Sequence, residues 1–350
     1  MSLVHAARRR GIGTTFWSAL VLLLFAVLLL ELGAPRAQQR KSPRSEPLRG
    51  YTIMAGGLGR ARRGPSDMWS NTEKTHLEFI EQAKINLVVI EVPYGVSKKH
   101  PKSPRVIRLI QKLKKAQVRV WILYPHVLAQ SFDLPRQVDA QGKKVEWNCC
   151  FNQQATQDWL VENGKCIVQA YEPDGLMLFG LFHQGSACHC ELCTEGKSAK
   201  DIRSGKNMER FFVRFASELR ALDKDLQLGT TSFWSRPLLR ALAAIDVLSP
   251  VVGIWRPGYA QGRVTKELRR LSSRYGKLGH VTVLPYVKLF LASQTNSKTE
   301  DVLGAVDESL KLGQGFFLWG YNPGHSYAKQ DYDHAAIRKH LAQLAGRRKR

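Results

Sequence analysis

Beyond Gly50 the chain alternates short apolar runs with longer stretches whose apolar residues recur at helical spacing. Eight runs stand out, at residues 51–55, 87–92, 118–124, 175–182, 226–231, 246–251, 281–287 and 316–319. They are near-continuous in apolar character rather than alternating, as strands buried on both faces are. Between them, Ser70-Asn71-Thr72-Glu73 has the spacing of a capping box and is followed by the stripe Leu77, Ile80 and Ala83. Met208, Phe211, Phe212, Phe215, Leu219 and Leu222 mark a second helix with one buried face. Later stripes run through Val264, Leu268, Leu271 and Tyr275, then Val302, Val306 and Leu310, then Ile337, Leu341 and Leu344. Strand and helix in alternation predict an α/β fold. Eight strands favour a closed (β/α)8 TIM barrel over an open doubly wound sheet.

The first part of the chain has a different pattern. Residues 11–30 contain no charged side chain and follow Arg8-Arg9-Arg10, the order of a secretory signal or an uncleaved signal anchor. Pro35 spoils the cleavage positions near Ala34 and Ala37, so an anchor is the favoured reading and a removed signal the alternative. Residues 35–49, rich in Pro, Arg, Gln and Ser, read as a tether. The expected order is therefore a signal or anchor at 1–34, a linker at 35–49, a barrel at 50–345 and a basic tail at 346–350. It implies an exported protein, membrane-anchored toward the periplasm or cell exterior, or else secreted.

Composition adds the charge. With 44% hydrophobic and 23% charged residues the body is globular, but 53 Lys and Arg against 29 Asp and Glu leave +24. That excess favours an anionic partner such as an acidic polysaccharide or a lipid surface. Between Lys98 and Arg119 there are nine basic residues and no acidic one, on a stretch whose Val106, Ile107, Ile110 and Leu113 form an apolar face. A solvated helix face is the plain reading of this run. Nucleic acid is disfavoured because the basic residues are scattered and no recognised nucleic-acid module is present. Gly56-Gly57-Leu58-Gly59 lacks the spacing of a nucleotide-binding loop, and the P-loop, His-Glu-x-x-His and Gly-x-Ser-x-Gly signatures are absent.

The working face of such a barrel is built by loops leaving the C-terminal ends of the strands. Two of these loops carry cysteines: Cys149-Cys150 after the third run, and Cys188-His189-Cys190-Glu191-Leu192-Cys193 after the fourth. Cys188, Cys190 and Cys193 can converge on one tetrahedral zinc, with Cys150, Cys149 or His189 as the fourth ligand; in an oxidising compartment the same cysteines would form disulfides. Either way they fasten the rim, and no cofactor beyond a structural zinc is implied. Cys166 lies apart, on the intervening helix. Tyr94, His126, His183, Trp255, Tyr286 and Trp319 fall at or just past strand ends, where aromatic faces and imidazoles suit sugar binding. His183 is also a candidate acid–base residue.

Asn148-Cys149-Cys150, Asp174-Gly175-Leu176-Met177-Leu178-Phe179 and the Cys-x-Cys-x-x-Cys loop together resemble the centre of bacterial glycoside-hydrolase-like TIM barrels. Gly315-Phe316-Phe317-Leu318-Trp319-Gly320-Tyr321 is similar to their last strand. The resemblance implies a barrel that acts on or binds extracytoplasmic polysaccharide. It also exposes a departure, because those barrels read Asp-Gly-x-x-x-Asp and Phe179 stands where the second acid is expected. Glycoside hydrolysis needs two carboxyl groups. Glu91, in Ile90-Glu91-Val92-Pro93-Tyr94, is the one nominated at a strand end, with Asp133, Glu191 or Asp331 as a partner from a loop. The rival reading is a non-catalytic, membrane-tethered carbohydrate-binding barrel.

Overall fold

The computed structural model describes residues 47–54, 67–92, 102–124, 133–150, 152–178, 188–195, 206–232, 244–253, 269, 282–288, 298–311, 315–319 and 333–346. All lie within one compact unit, Ser45–Arg350. Among the described residues no helix is long and apolar enough to cross a membrane. The apolar segment at 11–30 lies outside them, as does the stripe from Val264 to Tyr275.

Strands form at all eight apolar runs. In chain order they are β1 (Leu48–Met54), β2 (Leu87–Glu91), β3 (Arg119–Tyr124), β6 (Gly175–Leu178), β7 (Gln227–Ser232), β8 (Val247–Gly253), a pair β9 (Thr282–Val283) and β10 (Tyr286–Lys288), and β11 (Gly315–Trp319). Leu284 and Pro285 split the seventh run in two. β4 (Arg136–Val138) and β5 (Lys144–Cys149) make a separate antiparallel hairpin inserted after β3, where the sequence pattern predicts a loop. The main sheet is parallel throughout, ordered β10-β11-β1-β2-β3-β6-β7-β8-β9, and β10 also pairs with β8, so the curled sheet meets itself. The fold is TIM-barrel-like.

Among the described residues the coat is built by α1 (Asp67–Gln82), α2 (Pro104–Lys115), α3 (Gln154–Tyr171), α5 (Lys206–Leu222), α6 (Thr299–Lys311) and α7 (His334–Gly346), while α4 (Glu191–Thr194) is a single turn in the loop after β6. In α2, Pro104 opens the helix behind Ser103, and Val106, Leu109, Ile110 and Leu113 turn inward. Burying each such side chain contributes about 1.5–3 kcal/mol. The basic face keeps company: Glu73 of α1 meets Lys112 at 2.7 Å and Arg105 at 3.6 Å, and Lys114 lies 3.8 Å from Asp174. α1 does not begin at the expected capping box. Ser70 lies inside the helix, and Glu73 turns to α2 rather than back to the first turn. Leu222 also departs from expectation, being 44% exposed at the end of an otherwise buried stripe.

Alternate residues of each strand enter two cores. One, between sheet and helices, holds Tyr51, Ile90, Tyr124, Leu178, Phe316 and the phenylalanines of α5. Tyr124 stacks edge-on against Phe215 at 5.6 Å and donates its hydroxyl to Leu160 O at 2.8 Å. The other core fills the barrel interior with Leu48, Leu87, Val89, Trp121, Leu123, Met177, Val247, Leu284 and Phe317. Trp121 is the largest of these. A Cβ at Gly175 or Gly229 would lie 2.6 Å from its ring, so those two strands carry glycine to admit the indole.

The lower ends of the strands share a device. Asn86, Asp174 and Asp246 each stand one residue before a strand, and each accepts a backbone N–H from the neighbouring strand: Arg49 N at 2.7 Å, Val120 N at 2.7 Å and Leu228 N at 2.8 Å. The donor in each case is the second residue of its strand. Arg220 adds a 2.8 Å bond to Asp246. β1 accordingly begins at Leu48, inside the stretch read as tether. Arg49 is buried there and donates to Lys84 O at 2.6 Å, just past the end of α1.

Candidate functional site

The upper, C-terminal ends of the strands are where a parallel barrel presents chemistry. Glu91 is the last residue of β2, paired in register with Met54 and Leu123. Strand alternation puts it on the same face as Leu87 and Val89, above the packed interior. Its Oε2 is buried and has no hydrogen-bond partner among the described residues. Burial raises the Glu91 carboxyl above its ordinary range, because desolvation disfavours its charged form. A carboxyl held toward its protonated form can donate a proton. Other polar groups that sequence reasoning did not single out, among them Thr52 Oγ1, Trp121 Nε1 and Ser249 Oγ, are also buried without a partner among the described residues.

Of the other nominated residues, Tyr94, His126, His183 and Trp255 lie outside the described residues, as do Phe179 and Asp331. Tyr286 and Trp319 are placed by backbone alone: Tyr286 opens β10 opposite Phe317, and Trp319 closes β11 opposite Lys288. Asp133 takes a left-handed backbone (φ 54°) ahead of β4, and Glu191 is exposed on α4.

The rim cysteines converge. The Sγ atoms of Cys150, Cys188, Cys190 and Cys193 all lie within 4.8 Å of one another, a cluster that could bind a metal such as zinc. Cys150 Sγ stands 3.7 Å from Cys190 Sγ and 3.5 Å from Cys193 Sγ. The β4–β5 hairpin delivers Cys150: its N–H donates to Pro135 O at 2.8 Å, one residue past the end of β5. The second loop adds itself to the free edge of β4, where His189 N donates to Val138 O at 2.7 Å and Val138 N to Cys188 Sγ at 3.4 Å. A single turn, α4, then brings Cys193 back beneath Cys190, with Cys193 N bonded to Cys190 O at 2.8 Å. Asn152 Nδ2 donates to Cys193 Sγ at 3.0 Å. Hydrogen bonds from Cys150 and Cys193 hold the Cys188 thiol below its usual range, and those with Cys188 and Cys193 push Cys150 up.

Cys149, His189 and Cys166 stay outside this group. Cys149 is fully buried in the helix-side core, where burial pushes its thiol up to about 12, and Cys166 sits on α3. The choice between the adjacent Cys149 and Cys150 was open in the sequence, since only the hairpin's direction decides which of them faces the second loop.

No protein-family model matches the chain, and no curated protein matches it in sequence. Solved structures do match it in fold. The PgaB (BpsB) glycoside hydrolase domain from Bordetella bronchiseptica superposes with a TM-score of 0.58 at 11% identity, over 84% of this chain and 99% of that one. A beta-galactosidase from Rahnella sp. R3 gives 0.64 at 10% identity over 88% of this chain, which spans only 56% of that enzyme. XEG5A, a GH5 xyloglucan-specific endo-beta-1,4-glucanase from a metagenomic library, gives 0.53 at 14% identity, over 86% and 98%. The chain therefore has a glycoside-hydrolase-like TIM-barrel fold.

Proposed function

We propose that this protein is a carbohydrate-active barrel that acts on an extracytoplasmic polysaccharide at the upper ends of its strands, with Glu91 as its acid. The observation that carries the reading is Glu91 itself: a carboxyl at a strand's C-terminal end, on the interior face, with a buried oxygen left unpartnered among the described residues and its proton affinity raised by burial. Buried carboxylate oxygens are normally paired, and one left without a partner is more often found where chemistry is done. The likeness in fold to structures named as glycoside hydrolases supports the substrate class. Fold alone does not set chemistry, so the site residue carries the claim. The second carboxyl comes from a loop, Asp133, Glu191 or Asp331, and Tyr94, His126, Trp255, Tyr286 and Trp319 form the sugar platform, with His183 as a further acid–base group. The apolar segment at 11–30 supports an exported, membrane-tethered location, with secretion after cleavage as the alternative.

Phe179, in the place of the family's second acid, favours a second reading: a tethered barrel that binds glycan without cleaving it. One experiment separates the two. The full-length protein is screened against neutral and acidic polysaccharides for binding and for released product, beside Glu91→Gln and Trp319→Ala. Turnover that falls by about 100-fold or more in Glu91→Gln with binding retained is the enzyme's result. Binding without product in the parent is the binding barrel's. A parent that binds none of the glycans sinks both.

A further inference from the structure

The four rim cysteines carry an inference independent of the sugar chemistry. We propose that Cys150, Cys188, Cys190 and Cys193 hold one structural zinc ion that clamps the β4–β5 hairpin to the loop following β6. Sulfurs bound about 2.3 Å from a tetrahedral zinc stand about 3.8 Å from one another. Here Cys150 Sγ is 3.7 Å from Cys190 Sγ and 3.5 Å from Cys193 Sγ, and all four sulfurs fall within 4.8 Å. A disulfide would draw two sulfurs to about 2.05 Å and leave each with a single partner. Cys150 instead has two sulfur neighbours at nearly equal distance, which is the relation between corners of a tetrahedron.

The surroundings fit thiolates bound to a cation. Val138 N–H and Asn152 Nδ2 point at the sulfurs of Cys188 and Cys193, and donors of this kind orient metal-bound sulfur and spread its charge. Four protein ligands leave no open position, so the centre is structural and takes no part in turnover. Binding displaces the thiol protons as each sulfur becomes a zinc ligand. The mechanical consequence follows from the fold. The hairpin and the α4 loop are joined to each other by the backbone bond from His189 N to Val138 O, and zinc fixes both segments of the rim in one place.

The test begins with the full-length protein in detergent, purified without added metal, whose bound metals are measured by mass spectrometry. One equivalent of zinc per chain is expected, lost in Cys150→Ser and kept in Cys149→Ser and Cys166→Ser. Because Cys150→Ser could simply fail to fold, the parent is also stripped of metal under reducing conditions and titrated with Co2+. One equivalent should produce the intense visible and sulfur-to-metal bands of tetrahedral tetrathiolate cobalt, and Zn2+ should abolish them. Iron in place of zinc, absence of both metal and cobalt spectrum, or protection of the four thiols from alkylation in denaturant until a reductant is added would each overturn the proposal. The last result would assign the rim to disulfides.

Discussion

At the lower end of the barrel Asp174 and Asp246 each hold a backbone N–H of a neighbouring strand, at 2.7 and 2.8 Å, whereas at the upper end Glu91 keeps a buried oxygen without a partner among the described residues. Both ends use acidic side chains at strand termini. At the lower end, carboxylates satisfy donors that the sheet would otherwise leave open, and Arg220 further compensates Asp246. At the upper end Glu91 Oε2 meets no such donor among the described residues, and burial opposes the carboxyl's charge. The Asp-Gly that carries part of the family resemblance belongs to the first class: Asp174 is a clamp and Gly175 makes room for Trp121. A strand-end acid thus takes its meaning from which end it occupies, since parallel strands gather their functional loops at one side only.

The contrast can be broken most directly at Asp246. Asp246→Ala removes the acceptor for Leu228 N–H and strands the Arg220 guanidinium, so unfolding free energy in urea should fall by about 2–3 kcal/mol. A change near zero would mean that water replaces the clamp and that the lower end is not specially built.

An acid challenge sharpens the picture by probing the helical coat, which serves both ends. His76 of α1 is buried against Tyr51, whose hydroxyl meets its Nδ1, and burial lowers its pKa to about 4 from 6.5. The unfolded chain therefore binds a proton between those values that the folded protein excludes. Stability should be full above 6.5 and decline as pH falls toward 4. At about pH 5 the loss should be about 2 kcal/mol relative to neutral pH. His76→Gln, which cannot titrate, should flatten this dependence in denaturation curves taken across the range. An unchanged slope would show that another group governs acid sensitivity.

The smallest effect is the most diagnostic. Glu91 has a raised folded-state pKa, so its burial is tolerated while it is protonated and becomes a cost as pH rises through the folded value. Glu91→Gln should consequently gain stability at alkaline pH and change little at acid pH. A residue whose removal abolishes turnover but strengthens the fold is held for function, the reverse of Asp246. Destabilisation of Glu91→Gln at every pH would instead make it a structural acid like those at the lower end.

Much of the fold was legible because the signals are local. An apolar run buried on both faces and a stripe of 3.6-residue period are properties of a few neighbouring residues, and strands formed at all eight runs, with the stripes of Ile80, Phe211 and Ile337 turned inward. The spacing of Cys188, Cys190 and Cys193 on one short loop was legible for the same reason, and so was Glu91 at its strand's end. Tertiary structure decided what depends on distant segments meeting. The pairing of β10 with β8 curls the sheet back on itself, the unforeseen hairpin turns Cys150 rather than Cys149 to the other thiols, and Glu73 forgoes its own helix's first turn for the cations of α2. In each case the choice follows from which partner the packed chain brings within a few ångströms, and sequence spacing alone carries no measure of that distance.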